Sequence, residues 1–372
     1  MLETENVFDE WFFNSFKRYH KLQMFGVDKP VFSMELSCNS SVCLACEKPE
    51  ENGFEILNLE LPNKLYQIEN EHDSISTSRD LKIKCGTLTD NRLIDMKTLF
   101  GKSKTILSEE GTGKVTIYEM DPHKSDQMIP LVNIDSKVES GRLAVDCTTD
   151  TLIIWGKENA CYTGCIFNIE NNTKTLMISD VPNDPVCNYT PHFMSKNELV
   201  VQNSHNGSFD LYDLTSGQHV KNVNLPEADS NAKWFLNTAY TSSKEITTFN
   251  LTLISNSGTV LSYDLRNCKT PSIYQKELFS KCNNNINISF DPCNSQNYAV
   301  SGFDSNVYIL EESNCNRNIM YKFKHEGHMF TEDEDLCPNT VTSSALWLPM
   351  CGRNTLLSTA NDGSIQGWQY IS

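Results

Sequence analysis

The chain has 372 residues, of which 39% are hydrophobic and 21% are charged, and its formal net charge is −17 at pH 7. This length allows two or three ordinary domains, or one large repeat fold with a sizeable core. A surface this acidic repels phosphate backbones, which argues against direct binding to nucleic acid. The sequence contains no apolar run of about 18 residues, so it predicts no helix that spans a membrane.

The leading residues and the cysteines indicate the compartment. Residues 1–6 include acidic side chains, where a secretory or mitochondrial leader would be basic. The 14 cysteines lie between Cys38 and Cys351 without the spacing of a disulfide framework, as is typical of reduced core residues. Cys43 and Cys46 are three apart in a strand-like run, so they point to opposite faces and cannot hold one metal ion. We therefore expect a cytoplasmic protein, with a fraction in the nucleus.

Residues 6–25, NVFDEWFFNSFKRYHKLQMF, predict a helix. Asn6 can cap it, and acidic side chains near its start with basic ones near its end suit the helix dipole. Five aromatic residues at spacings of three and four share one face, namely Phe8, Trp11, Phe12, Phe16 and Tyr19. This face either packs on the rim of the main body, docks a protein partner through Trp11, Phe12 and Phe16, or lies on a membrane surface.

The rest of the chain repeats one pattern, which is a β-run, a small polar turn and a second β-run that often ends in an aromatic residue. Clear copies occupy residues 105–120, 199–214, 251–265, 297–310 and 355–371, and weaker copies occupy 42–61 and 151–171. Aligning the turns brings Gly113, Gly207, Gly258, Ser305 and Gly363 into register, and the last four of these turns are 51, 47 and 58 residues apart. The gap of 94 residues between the first two turns leaves room for the weaker copy at 151–171. The copies number seven.

Further strands before and after several copies bring each unit to four strands, which is typical of a propeller blade. We therefore predict an all-β fold, a seven-bladed WD40 β-propeller with a short N-terminal α-helix. The helical segment covers residues 1–27 and the propeller covers 28–372. A propeller closes when a strand from one chain end joins the blade made from the other end. We expect that closing strand from residues 31–36 or from the segment just before them.

The last copy contains the residues of the structural network of a WD40 blade, namely His328, Ser358, Asp362 and Trp368. In that family a histidine, a serine, an aspartate and a tryptophan form a hydrogen-bonded relay that ties the inter-blade loop to the blade core. A buried indole N–H and a buried carboxylate both need such partners. The acid that usually follows the tryptophan is Gln369 here, which departs from the motif.

The N-terminal helix and four further stretches resemble the WD repeat-containing protein 73 family. The stretches are residues 55–65, 301–309, 325–330 and 355–368, and the likeness is specific at the two ends of the chain. The acidic run at 331–335 and Gln369 depart from the family. The resemblance implies a non-enzymatic scaffold or assembly factor whose partners are the Integrator RNA endonuclease subunits. It also implies a role in cell division at spindle poles, and it implies no cofactor.

Motifs that suggest catalysis have structural explanations. The stretch HEGH at 325–328 is similar to the zinc motif H-E-x-x-H, but its histidines are three apart and its Gly-His pair belongs to the blade relay. Residues 111–114 look like part of a phosphate loop, but they lie in a hairpin turn and not before a helix. Asp333 and Asp335 have no partner base. We expect no catalytic, metal-binding or cofactor-binding site, and therefore no enzyme.

Partner residues are expected on the top face, which we define as the face where the inter-blade loops and the turns between second and third strands converge. Phe303, Asp304, Glu326 and Asn361 fall there, and an exposed aromatic residue among acids can anchor a partner. They can equally be ordinary turn residues. Three functions remain open: a scaffold or assembly factor, the substrate-recognition propeller of a ubiquitin ligase, and a catalytic propeller. We expect a monomer that binds proteins and neither nucleic acid nor membrane.

Overall fold

The computed structural model describes residues 2–48, 53–66, 80–121, 123, 125–158, 161–182, 188–226, 232–240, 250–313, 317–330 and 339–372. Within these ranges the chain forms an N-terminal helix, α1 (Leu2–Arg18), followed by strand β1 (Tyr19–Gly26) and seven four-stranded antiparallel sheets. Each sheet is one blade. The predicted fold, a seven-bladed β-propeller with a short N-terminal helix, is confirmed.

The first four blades follow one another along the chain. Blade 1 consists of β2 (Val31–Cys38), β3 (Ser41–Glu47), β4 (Phe54–Glu60) and β5 (Lys82–Leu88). Blade 2 consists of β6 (Leu93–Leu99), β7 (Lys104–Glu109), β8 (Lys114–Glu119) and β9 (Ile129–Asp135). Blade 3 consists of β10 (Glu139–Asp146), β11 (Thr151–Glu158), β12 (Cys161–Asn168) and β13 (Thr173–Pro182). Blade 4 consists of β14 (Tyr189–Ser195), β15 (Glu198–Asn203), β16 (Phe209–Asp213) and β17 (Gln218–Val223). A short helix, α2 (Asn63–Tyr66), follows β4.

The last three blades complete the ring. Blade 5 consists of β18 (Trp234–Thr238), β19 (Asn250–Ser255), β20 (Val260–Asp264) and β21 (Ile273–Gln275). Blade 6 consists of β22 (Asn287–Asp291), β23 (Asn294–Ser301), β24 (Val307–Ser313) and β25 (Asn318–His325). Blade 7 consists of β26 (Thr342–Trp347), β27 (Thr355–Ala360), β28 (Ser364–Tyr370) and, as its outer strand, β1. Short 3-10 turns occupy Leu265–Asn267, Gly327–Met329 and Pro349–Cys351.

The hydrophobic core lies between the blades. The second strand of a blade is covered on both faces, so β27 is buried at every position and reads as a continuous apolar and small-residue run. Cys43 packs with Met96 of blade 2, whereas Cys46 packs with Leu357 of blade 7. The two cysteines therefore point to opposite faces of β3. Burial raises the pKa of both thiols to about 12, which keeps them protonated.

The predicted bounds of the N-terminal helix, residues 6–25 with Asn6 as its cap, were wrong at both ends. α1 begins at Leu2, so Asn6 lies within the helix. α1 ends at Arg18, and β1 pairs antiparallel with β28 from Tyr19 opposite Tyr370 to Gly26 opposite Ser364. The open edge of β28 offers backbone partners along its length, and this pairing outweighs the helical spacing of the aromatic residues. Residues 19–26 thus belong to the last blade. The alternative closing strand, residues 31–36, instead forms the first strand of blade 1.

The turn glycines show how the ring closes. Gly363 has φ 87°, its carbonyl accepts a hydrogen bond from Val27 N at 2.9 Å, and a Cβ there would lie 2.0 Å from the Val27 oxygen. Gly258 has φ 86° and makes the equivalent bond, from Leu278 N at 2.9 Å. Val27 therefore covers the turn of blade 7 as Leu278 covers that of blade 5. In blade 6 the positive φ falls on Gly302, and not on the aligned Ser305.

Candidate functional site around the loop between the last two blades

Residues 325–330, with sequence HEGHMF, lead from β25 of blade 6 toward blade 7, and we call them the 325–330 loop. This loop contacts the core of blade 7, the closing strand β1 and the helix α1. It therefore joins the predicted relay to the predicted partner-binding helix.

The relay is a chain of five side chains in blade 7. Trp368 Nε1 donates to Ser358 Oγ at 3.0 Å, and Ser358 Oγ lies 2.8 Å from His328 Nε2. The other ring nitrogen, His328 Nδ1, lies 2.7 Å from Ser364 Oγ. Ser364 Oγ donates to Asp362 Oδ1 at 2.6 Å. The loop is thus tied to two strands and one turn of the blade.

One direction of donation satisfies every bond in this chain. Ser364 uses its single hydroxyl proton toward Asp362, so it accepts from His328 Nδ1–H. In the neutral ring His328 Nε2 then accepts from the Ser358 hydroxyl, whose oxygen accepts from the indole. Burial lowers the pKa of His328 to about 4, although Asp362 opposes this shift, so the ring is neutral at physiological pH.

The structure brings three of the four predicted relay residues into direct contact, and it joins the fourth, Asp362, through Ser364. Sequence reasoning missed Ser364. Its available signal was the Asp-Gly-Ser order of the turn, in which an acid accepts from the residue two positions on: Ser364 N donates to Asp362 Oδ1 at 2.9 Å. Gln369 lies outside the relay and donates to the Arg353 carbonyl at 2.9 Å.

The first histidine of the loop contacts the closing strand. The Tyr19 hydroxyl lies 2.8 Å from His325 Nδ1, and the His325 ring stacks on Trp368 with centroids 4.4 Å apart and planes at 11°. His325 is fully buried, and burial holds its pKa well below the usual value. Of the two histidines of HEGH, His325 therefore contacts β1 and His328 bonds to the blade core. The described residues contain no group of three or more side chains suited to a metal ion.

The end of the loop holds α1 in place. Phe330 is 2% exposed and packs its ring against Phe8 at 5.2 Å and Trp11 at 5.0 Å. Arg18 at the end of α1 donates to Glu326 at 2.7 Å, and its guanidinium lies 5.1 Å from the Phe323 ring centre. Two of the predicted partner residues, Trp11 and Glu326, are thus engaged inside the protein. This face of α1 therefore packs on the main body, as the first of the three alternatives from the sequence had it.

The opposite face of α1 is exposed. Phe12, Phe13 and Phe16 are 43%, 67% and 65% exposed, whereas Trp11 is 9% exposed. The Phe12 ring lies 6.0 Å from Phe13 and 5.0 Å from Phe16. The predicted aromatic face is therefore divided, with Phe12 and Phe16 separated from Trp11. Sequence reasoning missed Phe13, whose spacing of three from Phe16 was the available signal.

The remaining predicted top-face residues make contacts within the propeller. Phe303 is partly buried and stacks on Phe279, with ring centres 4.2 Å apart. Asp304 accepts from the Tyr308 hydroxyl at 2.6 Å, which fixes its turn. Asn361 is exposed, and its side-chain oxygen accepts from Val341 N at 2.9 Å. Each side chain thus has a structural contact, and Asn361 is the most accessible of the three.

A central cavity of about 760 Å³ is lined by the first strand of every blade. Its charged groups join neighbouring strands. Lys97 of blade 2 lies 2.5 Å from Glu35 of blade 1, and Asp95 of blade 2 accepts from the Leu143 backbone N–H of blade 3 at 2.9 Å. Burial, aided by Lys97, lowers the pKa of His192 in the cavity wall to about 3. These groups have structural partners or are held neutral.

Some sequence predictions lie outside the described residues. They concern the acidic run at 331–335, with Asp333 and Asp335. In the part of the chain that is described, no helix combines the length and the apolar character needed to cross a membrane.

Comparison with known proteins identifies full-length relatives. A protein of Danio rerio named Integrator complex assembly factor WDR73 is 26% identical over 377 residues, which cover 98% of this chain and 96% of the relative. A Xenopus laevis protein of that name is 23% identical over 376 residues, covering 96% of each chain. This chain is therefore similar to these proteins along nearly its whole length.

The resemblance drawn from the sequence is confirmed by these matches. A Homo sapiens protein of the same name is 28% identical over a shorter stretch of 82 residues, which is 20% of this chain and 21% of the relative. No protein-family model matches the chain.

Proposed function

We propose that this protein is a non-enzymatic scaffold that assists assembly of a multiprotein complex, the Integrator RNA endonuclease module. The observation that carries this proposal is the match along 98% of the chain to a relative named as an Integrator complex assembly factor. Since 96% of the relative is also covered, the similarity extends well beyond an isolated repeat.

The architecture supports binding rather than catalysis. Several charged groups of the central cavity connect neighbouring blades, as Lys97 does with Glu35. The buried histidines His325 and His328 serve the closing strand and the blade core. The accessible features are the turns, the outer strands and the outer face of α1. Surfaces of this kind suit protein partners.

Charge favours a basic partner. The net charge of −17 gives an acidic surface, which attracts basic protein surfaces and repels phosphate backbones. We therefore propose that the chain binds the endonuclease subunits themselves and not their RNA. We also propose that it is a monomer by itself and acts in the cytoplasm, with a nuclear fraction and a mitotic fraction at spindle poles, where it has a role in cell division.

Purification of the tagged full-length protein from its own cells at low salt, with mass spectrometry of the bound proteins, tests the proposal. We expect recovery of Integrator endonuclease subunits in stoichiometric amounts. Recovery of cullin adaptors instead would favour substrate recognition for a ubiquitin ligase. A clean monomer with neither would contradict the proposed function.

A further inference from the structure

Three phenyl rings on α1 form a connected, solvent-facing group, Phe12, Phe13 and Phe16, which we call the outer aromatic face. Phe13 and Phe16 are each about two-thirds exposed, at 67% and 65%. Within the described residues, the ring contacts of these three side chains are with each other and with Phe8 of the same helix. A contiguous group of exposed aromatic side chains is unusual on a soluble monomer and is typical of an interaction surface.

The outer aromatic face is not needed to hold α1 on the propeller. The opposite face of the helix does so through Trp11, which packs on Phe330, and through Arg18, which pairs with Glu326. The helix is thus attached to the propeller along one side, and its outer aromatic face is exposed to solvent. An anchored helix can offer its side chains without first paying the entropy of ordering.

Charge decides what this face can bind. Asp9 lies one helical turn before Phe12 and Phe13, and Glu10 lies one turn before Phe13; both carboxylates are exposed. Anionic lipid headgroups would be repelled by these carboxylates. A second copy packed parallel would bring the same carboxylates together, and the cross-linking test below distinguishes an antiparallel copy, which would place them beside the exposed Lys17. Lys and Arg residues on a partner protein would be attracted.

The backbone of α1 determines the form of the partner segment. Its N–H and C=O groups bond within the helix, so an added β-strand finds no edge. Side chains at spacings of three and four form ridges, which pack into the grooves of another helix. We propose that the outer aromatic face of α1 binds an amphipathic helix of a partner protein, with Lys or Arg residues beside Asp9 and Glu10. This inference rests on the proposed scaffold function, for which it names the type of binding element.

The first test compares partner recovery by full-length variants. In Phe13→Ala/Phe16→Ala both changes are at exposed positions, so the fold should be retained, as circular dichroism and the melting temperature will check. We expect recovery of the Integrator endonuclease subunits to fall about tenfold or more. Asp9→Lys/Glu10→Lys should also lower the recovery of these subunits. The matched control is Ile83→Ala/Val220→Ala, which removes apolar groups that are 69% and 63% exposed on outer strands of other blades and should change nothing.

A second measurement identifies the bound segment directly. A photo-reactive phenylalanine analogue replaces Phe13, and the cross-linked peptides are sequenced. A peptide of another protein with apolar residues at spacings of three and four and flanking Lys or Arg supports the inference. Cross-links confined to this chain or to lipid, or to strand-like or acidic peptides, overturn it, as does the absence of any cross-linked peptide.

The two readouts separate this inference from the proposed function. If the wild type and Phe13→Ala/Phe16→Ala recover the endonuclease subunits equally, the scaffold function stands and the inference fails. If the wild type recovers none of these subunits, the proposed function fails, and the sequence of the cross-linked peptide alone then decides the inference.

Discussion

His328 connects the loop between blades 6 and 7 to the blade core through both ring nitrogens, and burial keeps the ring neutral. Two other histidines are also held neutral by burial, with the pKa of His192 lowered to about 3 and that of His325 well below its usual value. In each case the folded state disfavours protonation of the ring, whereas the unfolded chain takes up the proton near the ordinary pKa of histidine.

The histidines predict how stability depends on pH. Because their pKa values are lowered on folding, the unfolded state binds protons first as the pH falls, so the free energy of unfolding decreases. For His328 this loss of stability occurs as the pH falls from 6.5 to about 4, and it amounts to about 3 kcal/mol. Urea unfolding across this range should show stability falling with pH, and His328→Gln should flatten the slope. An equal slope in the variant would contradict this role of His328.

Ser358 accepts from the indole of Trp368 and bonds His328, and it is fully buried. Ser358→Ala leaves both partners without this bond, so we expect a loss of about 1–3 kcal/mol in the free energy of unfolding. The matched control is Ser305→Ala, at a partly exposed turn position of blade 6, which should change stability by less than about 0.5 kcal/mol. Equal effects of the two changes, measured by urea unfolding, would argue against the relay.

At this scale the sequence predicted the residues whose types are fixed by a buried network. His328, Ser358 and Trp368 were predicted from the positions that resemble the network of a WD40 blade, and the need of a buried indole for a partner explains these residue types. The Asp-Gly-Ser order indicates that Ser364 bonds Asp362 in the turn, but its contact with His328 depends on the position of that histidine in space. Phe303 and Asp304 were predicted as partner residues, but they have contacts within the propeller that only tertiary structure reveals.

The first two elements, α1 and β1, are continuous in sequence but differ in what holds them. α1 depends on side chains of the 325–330 loop, whereas β1 has a backbone ladder with β28. The aromatic spacing across residues 6–25 predicted one helix because local pattern carries no information about the open edge of β28. The length of α1 was therefore overestimated, although the existence of a helix was predicted.

This difference predicts how the two elements respond to Trp11→Ala. Removal of a buried tryptophan costs about 3–5 kcal/mol where it packs, so α1 should detach from Phe330. Hydrogen exchange in Leu2–Arg18 should become at least about tenfold faster, while exchange in Tyr19–Gly26 stays slow because the ladder with β28 remains. Phe13→Ala, on the exposed face, is the control and should leave both rates unchanged. Faster exchange in β1 would show that the elements are not independent.

Across the whole molecule, seven similar blades contact their neighbours in a complete ring, and the first strands of adjacent blades touch all the way round. Repetition of a strand, a turn glycine and a second strand was sufficient to predict this architecture, because each unit buries its faces only against the next. The closing strand was harder to assign, since residues 19–26 and 31–36 both suit an outer strand and pairing selects between them.

Ring closure predicts different outcomes for two truncated chains. A variant lacking residues 1–18 keeps β1 and should fold, with a modest decrease in melting temperature from exposure of Phe330. A variant lacking residues 1–26 leaves the edge of β28 open and uncovers Trp368, so it should melt far lower or aggregate. Calorimetry and size-exclusion chromatography compare them. Similar stability of the two variants would mean that β1 is dispensable for closure.

The central claim is that this propeller assists assembly of the Integrator endonuclease module. The most direct measurement is the fraction of newly synthesised endonuclease subunits that enters the assembled complex, in cells depleted of this protein and in the same cells resupplied with it. We predict a several-fold lower fraction on depletion and recovery with the wild-type chain. An unchanged fraction on complete depletion would contradict the claim.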